Sequence, residues 1–114
     1  MNKIDIIGRI THDLKVNFTK DSKKYLVFNI AVNEYVKDQY ITYYFKCLLF
    51  NKVDPFIKYC KKGTKIAISG KLINRNNTIE ILVNEYDVLE INKKDKNKSE
   101  LLFEEIKDEE SIFN

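Results

Sequence analysis

Two stretches of this 114-residue chain, residues 25–35 and 40–50, alternate between two distinct rows of side chains. In residues 25–35, one face carries the apolar side chains Leu26, Phe28, Ile30 and Val32. A period of two with a single apolar face predicts a half-buried β-strand. Residues 40–50 also alternate, but here both faces carry large side chains. Two neighbouring strands of this kind are expected to form a sheet with one face packed against a hydrophobic core.

The remaining apolar segments predict three further strands and one helix. Residues 3–10 form an Ile-rich strand in which Gly8 marks a bulge or a close backbone approach. Asp54 as N-cap and Pro55 in the first turn predict a helix that ends before Gly63. The expected apolar stripe of that helix is Phe56, Ile57, Tyr59 and Cys60. Residues 65–73 and about 78–91 read as strands joined at Asn76-Asn77, with inward side chains Ile79, Ile81 and Val83.

The predicted order is three strands, one helix and two strands, which is the order of an OB-fold. An OB-fold is a five-stranded barrel that binds oligonucleotides on one face. We therefore predict an all-β domain over residues 1–91, with the helix between the third and fourth strands. Residues 92–99 are polar without periodicity, so residues 92–114 are expected to form a flexible spacer and an acidic tail.

Charge is distributed unevenly along the chain. Residues 1–98 contain 19 Lys and Arg against 11 Asp and Glu, a net charge of +8, whereas residues 99–114 carry −5. A basic body with an acidic tail is typical of proteins that bind polyanions. A solvated surface with a disordered end has the same pattern, so charge alone does not decide the function.

The strand over residues 40–50 carries the strongest binding signal. Its odd-numbered row is expected to face the core: Ile41, Tyr43, Phe45, Cys47 and Leu49. Its even-numbered row then exposes Tyr44, Lys46, Leu48 and Phe50, which are two rings with a cation between them. Rings of this kind stack on unpaired bases, and a lysine between them meets phosphate. Tyr35, Lys71 and Arg75 extend the same track, although a subunit interface also accounts for exposed rings.

No catalytic, metal or cofactor site is expected. His12 is the only histidine and belongs to no catalytic motif, and Cys47 and Cys60 have no CxxC spacing. Two unpaired thiols fit a reducing cytosol, so we expect a cytoplasmic, nucleoid-associated protein. No apolar run approaches the ~18 residues of a membrane span, so no membrane partner is predicted.

Four segments carry a family resemblance: Met1–Thr11 with Asp13, Phe28–Asn33, Tyr44–Phe50 and Tyr59–Leu72. Together they resemble the bacterial and phage single-stranded DNA-binding protein family over about residues 1–91. The resemblance implies sequence-nonspecific binding of single-stranded DNA in replication, recombination or repair. By position it implies base stacking on Tyr44 and Phe50 and phosphate contact by Lys46. The same alignment places three basic residues near the DNA path: Lys3, Lys52 and Arg75.

The resemblance also has implications for the tail and the assembly. The acidic tip of the family docks replication and repair proteins, and here it corresponds to Asp108, Glu109, Glu110, Ile112 and Phe113. The tip departs from the family in lacking Pro and in ending on Asn114. The family forms a homotetramer built partly on its first strand, and the short hairpin between the last two strands leaves a dimer open. This short form fits a phage or mobile-element protein.

Two other binding functions remain open from the residues alone. The first is a protein-interaction module of a replication complex, in which the exposed rings are covered by a partner. The second is an RNA-binding barrel, because bases of RNA stack on the same side chains. An enzyme is the least expected class, since no set of residues supports a reaction.

Overall fold

The computed structural model describes residues 1–90, which form six strands and one short helix. The elements in chain order are β1 Ile4–Ile10, β2 Lys15–Phe18, β3 Lys24–Val36, β4 Gln39–Leu49, α1 Val53–Tyr59, β5 Lys65–Arg75 and β6 Thr78–Glu90. Within residues 1–90, no helix combines the length and the apolar character that crossing a bilayer requires. The predicted boundary near residue 91, the spacer and the tail lie outside the described residues and stay predictions.

Five of the six strands close into a ring in the order β1-β5-β6-β4-β3. β3 returns to β1 through the pairs Arg9↔Ala31 and Ile10↔Ile30, which close the ring. β4 and β6 pair in parallel over three residues each, from Cys47↔Ile81 to Leu49↔Val83, and the other pairings are antiparallel. The predicted all-β OB-fold barrel is therefore confirmed. Because β2 is an additional strand that pairs with β3 outside the ring, the helix lies between β4 and β5.

The interior of the ring holds one hydrophobic core. Leu26, Phe28 and Ile30 of β3 are buried, as the alternation predicts. The ring of Phe56 from α1 packs 4.8 Å from that of Phe28, so the helix closes one end of the barrel. Both thiols belong to this core, and burial raises the pKa of Cys47 and of Cys60 to about 12. The cysteines therefore stay protonated and act as small apolar side chains.

The helix begins two residues earlier than predicted and is capped differently. Its N-cap is Lys52, a left-handed residue with φ 55° and no side-chain capping bond, so Asp54 lies inside the first turn. The buried stripe is Val53, Phe56 and Cys60. The predicted stripe residues Ile57 and Tyr59 are instead partly exposed, because α1 ends at Tyr59 and only one side of it meets the barrel.

Two hairpins extend beyond the ring, and this explains why some side chains that were predicted to face the core are exposed. Residues 39–44 of β4 pair only with β3, and residues 71–80 pair only within the β5–β6 hairpin. Side chains on the core-facing side of these arms therefore meet solvent, as Ile41, Tyr43 and Ile79 do. Leu48 deviates in the opposite sense: it is buried on the outward side, between Val27 and Leu82 of the neighbouring strands.

Both hairpins turn on two left-handed residues. Asn76 and Asn77 have φ of 52° and 63° between the paired residues Arg75 and Thr78, which confirms the predicted turn. Lys37 and Asp38, with φ of 49° and 64°, form the same kind of turn between β3 and β4. Two consecutive positive φ angles are the signature of a tight hairpin turn whose twist suits the flanking strands.

Glycine is required where two backbones approach closely. A Cβ on Gly8 would lie 2.7 Å from the carbonyl oxygen of Ala31, which confirms the predicted close approach next to the ring closure. A Cβ on Gly70 would collide even more severely with the backbone of Leu82, beside a register shift between β5 and β6.

Replacing Gly70 by alanine is expected to lower the free energy of unfolding by about 2 kcal/mol or more, because the methyl group meets backbone that cannot rotate away. The control is Ser69→Ala on the same strand, expected to change that free energy by less than about 0.5 kcal/mol. Urea unfolding followed by circular dichroism measures both. Equal midpoints for the two variants would contradict the close approach.

Candidate nucleic-acid interface

The outward side of β3 and β4 gathers the predicted binding residues into one surface. Directly opposed residues of an antiparallel pair lie on the same face. The register pairs Asn29 with Lys46, Ala31 with Tyr44, and Tyr35 with Tyr40. The name β3–β4 face is used below for this surface, defined by Tyr25, Asn29, Tyr35, Tyr40, Tyr44, Lys46 and Phe50.

The aromatic rings of this face differ in how much of each ring is available. Tyr44 is 69% exposed, and within residues 1–90 no other aromatic ring covers it. Phe50 stacks on Tyr25 with ring centroids 5.0 Å apart and planes 16° apart, so one side of its ring is covered. Tyr35 and Tyr40 form a tilted pair at the hairpin tip, with centroids 4.9 Å apart. Among the rings of this face, Tyr44 is therefore the exposed one that no second ring stacks against.

The two central cations of the predicted site are both held by one buried carboxylate. Arg75 Nε lies 2.9 Å from Glu80 Oε1, and Arg75 Nη2 lies 3.4 Å from Oε2. Lys46 Nζ lies 3.6 Å from the same Oε2. The side chain of Glu80 is only 2% exposed, whereas those of Lys46 and Arg75 are 44% and 40% exposed. The name Glu80 cluster is used below for these three residues.

The Glu80 cluster is linked to the stacked rings through Arg75. The hydrogen bond that Arg75 donates to Glu80 raises the pKa of the guanidinium above its ordinary value, and the Tyr25 side chain acts in the same direction. Tyr25 in turn covers Phe50. The phenylalanine, the arginine and the lysine that were predicted separately therefore belong to one connected group of side chains.

A cleft lies next to the Glu80 cluster. It has a volume of about 420 Å³ and is lined by His12, Lys15, Val27, Asn29 and Lys46. His12 is oriented by a 2.7 Å hydrogen bond between its Nδ1 and Oγ1 of Thr11. Two lysines on an open cleft provide a positive potential for an anionic ligand. Lys15 was not among the predicted residues.

The other predicted basic residues lie at different distances from this centre. Lys52 is exposed at the start of α1, two residues after Phe50, and its carbonyl accepts a 2.8 Å hydrogen bond from Tyr86. Lys71 is exposed opposite Leu82, which itself pairs with Leu48 of β4. Lys3 lies before β1, with its Nζ 3.8 Å from Asp5 Oδ2. The structure does not bring Lys3 to the β3–β4 face.

A cleft on the outer side of β1, β5 and β6 has the opposite charge. It has a volume of about 340 Å³ and is lined by three carboxylates, Asp5, Glu85 and Asp87, together with Ile7. The name acidic face is used for the lining of this cleft only, because the same strands also carry basic side chains. A polyanion is repelled by these carboxylates and attracted by the lysines of the cleft beside the Glu80 cluster.

Three residues of the β3–β4 region were missed by the sequence analysis: Tyr25, Tyr40 and Glu80. Tyr25 and Tyr40 share the sequence parity of the outward rows, but their ring partners follow only from the folded register. Glu80 stands between Ile79 and Ile81 in an apolar run, where a lone acid signals a buried ion pair. The predicted tail residues from Asp108 to Phe113 lie outside the described residues.

The chain is similar in sequence to curated single-stranded DNA-binding proteins. The chain is 35% identical over 77 residues to the single-stranded DNA-binding protein of Borreliella burgdorferi, which covers 63% of this chain and 52% of that protein. It is 36% identical over 76 residues to the corresponding protein of Onion yellows phytoplasma, covering 63% of this chain and 69% of that protein. The chain thus spans about half to two thirds of the length of these curated relatives.

Solved structures share the fold. A Plasmodium falciparum SSB in complex with single-stranded DNA superposes with a TM-score of 0.69 and 26% identity, over 81% of this chain and 96% of that one. A mitochondrial single-stranded DNA-binding protein of S. cerevisiae superposes with a TM-score of 0.71 and 21% identity, over 81% and 97%. The model of the single-strand binding protein family matches residues 1–98. On this evidence the chain belongs to the single-strand binding protein family.

Proposed function

We propose that this protein binds single-stranded DNA on its β3–β4 face, without strong sequence preference. The observation that carries the proposal is the open ring of Tyr44, two residues from Lys46 on the basic side of the barrel. The family supports it, and so does the similar P. falciparum protein, whose structure contains single-stranded DNA. Members of this family are DNA-binding proteins rather than enzymes.

The mechanism combines stacking with charge neutralisation. Bases lie against the ring of Tyr44 and the free side of Phe50, and each base–ring contact is worth ~1–3 kcal/mol. Lys15, Lys46 and Arg75 neutralise the phosphates that pass beside them. Every base has a flat π face, so stacking of this kind tolerates any sequence. Keeping strands unpaired in this way serves replication, recombination or repair.

Replacing Tyr44 by alanine is expected to weaken binding to oligo-dT by about 5- to 150-fold, the equivalent of ~1–3 kcal/mol for a lost stack. Phe50→Ala is expected at the lower end of this range, because Tyr25 already covers one side of its ring. Neither variant should change the slope of log K against log salt, since neither ring carries a charge. Fluorescence anisotropy with a labelled oligonucleotide measures affinity and slope together.

The matched control for Tyr44→Ala is Tyr43→Ala. Tyr43 is the adjacent tyrosine of the same strand and points to the opposite side of the β3–β4 hairpin. The Tyr43→Ala variant is expected to bind oligo-dT with the affinity of the wild-type protein. Equal affinities of Tyr44→Ala and Tyr43→Ala would reject stacking and favour rings that cover a protein interface. Tighter binding to oligo-rU than to oligo-dU would favour the RNA alternative.

We also propose that the chain assembles into a homo-oligomer through β1, a tetramer by family resemblance. Within residues 1–90, the edge of β1 from Ile4 to Gly8 opposite β5 has no strand partner, because β3 pairs only at Arg9 and Ile10. Ile7 on this strand is also 53% exposed. An open strand edge with an exposed apolar side chain is a template for pairing with another chain.

Light scattering of the free protein is expected to give a mass of four times the 13.5 kDa of one chain, and the complex with oligo-dT should exceed it only by the mass of the bound DNA. A mass of twice that value would identify the dimer that the short β5–β6 hairpin left open. A mass of 13.5 kDa at micromolar concentration would contradict assembly through β1.

A further inference from the structure

Glu80 is an acidic side chain on a surface that is otherwise suited to an anion. It projects from β6 to the same side as Lys46, because Leu48 and Leu82 two residues further on form a pair in the parallel ladder. Its carboxylate is buried, and both of its oxygens contact cations. The two cations that it contacts are those predicted to meet phosphate.

The contacts leave the cations with capacity to bind a second anion. Glu80 accepts hydrogen bonds from Nε and one Nη2 N–H of Arg75, and its Oε2 forms an ion pair with the Lys46 ammonium at 3.6 Å. A guanidinium has five N–H donors and an ammonium has three, so several donors remain. Both cationic side chains are about 40% exposed and so are accessible to a second anion, whereas the carboxylate is buried.

The charge of the Glu80 cluster is therefore +1 and not +2. Binding of a polyanion releases counterions in proportion to the phosphates neutralised, with a slope of about −0.7 in log K per phosphate on single strands. Because the carboxylate already neutralises one of the two cations, the pair neutralises one phosphate fewer, and the slope loses one contribution of about −0.7. The cluster then contributes to affinity as one cation whose charge is shared between two side chains.

We propose that Glu80 is an internal counter-ion that sets the affinity and the salt dependence of DNA binding by acting through Lys46 and Arg75. In this role Glu80 does not touch the DNA. It holds the two cations at a fixed spacing and limits their joint charge, so that the protein releases its strand more readily. The inference rests on the proposed DNA-binding function and deepens it.

The test compares Glu80→Gln with Glu85→Gln. Both variants remove one negative charge from β6, but Glu85 is exposed on the acidic face, opposite Ser69. Glutamine preserves the shape of Glu80 and an oxygen that accepts from Arg75. The salt slope of oligo-dT binding is expected to steepen by ~0.7 in Glu80→Gln, which is about fivefold tighter binding at 0.1 M salt if affinities converge at 1 M. Glu85→Gln should keep the wild-type slope.

A second variant keeps the test valid if Glu80→Gln fails to fold. Lys46→Met with Glu80→Met replaces an ion pair by apolar side chains, which proteins often tolerate or gain from. Arg75 is then the only charged residue of the Glu80 cluster, so the net charge of the cluster stays +1 and the salt slope of the wild type is expected. If Glu80 were only a structural support, losing Lys46 would make the slope shallower by ~0.7.

The outcomes separate the two proposals. A Glu80→Gln slope equal to that of Glu85→Gln, or a shallower one, overturns the counter-ion role while wild-type binding still supports the proposed function. A shallower slope in the double Met variant also overturns it. Failure of the folded wild-type protein to bind oligo-dT at low salt removes the proposed function itself.

Discussion

The position of β4 in the closed ring determines what the rest of the molecule presents to solvent. β4 pairs with β3 on one side and with β6 on the other, so its odd-numbered side chains Cys47 and Leu49 must fill the core. Its even-numbered side chains then face outward, because successive side chains of a strand point to opposite faces. Lys46 and Phe50 belong to this outward row, and Tyr44 continues it on the arm where β4 pairs only with β3. The period of two sets their order along the chain.

Sequence reasoning succeeded where the strand period alone decides the outcome. The alternation on β3 and the exposure of Tyr44 follow from local pattern, and so does the turn at Asn76-Asn77. It failed where a neighbour distant in sequence decides. Leu48 is buried outward because β3 and β6 bring Val27 and Leu82 beside it, and β2 is a four-residue strand stabilised by pairing with β3.

The candidate site shows the same division. The rings and cations were visible as residue types, but their pairing was not: Tyr25 reaches Phe50, and Glu80 reaches Lys46 and Arg75 only through the folded register. A buried carboxylate between two cations lowers the charge that they can offer to phosphate. A lysine or an arginine that the sequence presents as a free phosphate contact is then already half neutralised. Cations on such a face need to be counted together with their buried partners.

Photo-crosslinking tests the central claim most directly, namely that bases lie against the rings of the β3–β4 face. Oligo-dT that carries a few 5-iodouracil bases is irradiated on the full-length protein, and the adducts are mapped by mass spectrometry. The account predicts adducts at Tyr44 and at the Tyr25–Phe50 stack. Adducts confined to the acidic face around Ile7, Glu85 and Asp87, with none on these rings, would contradict it.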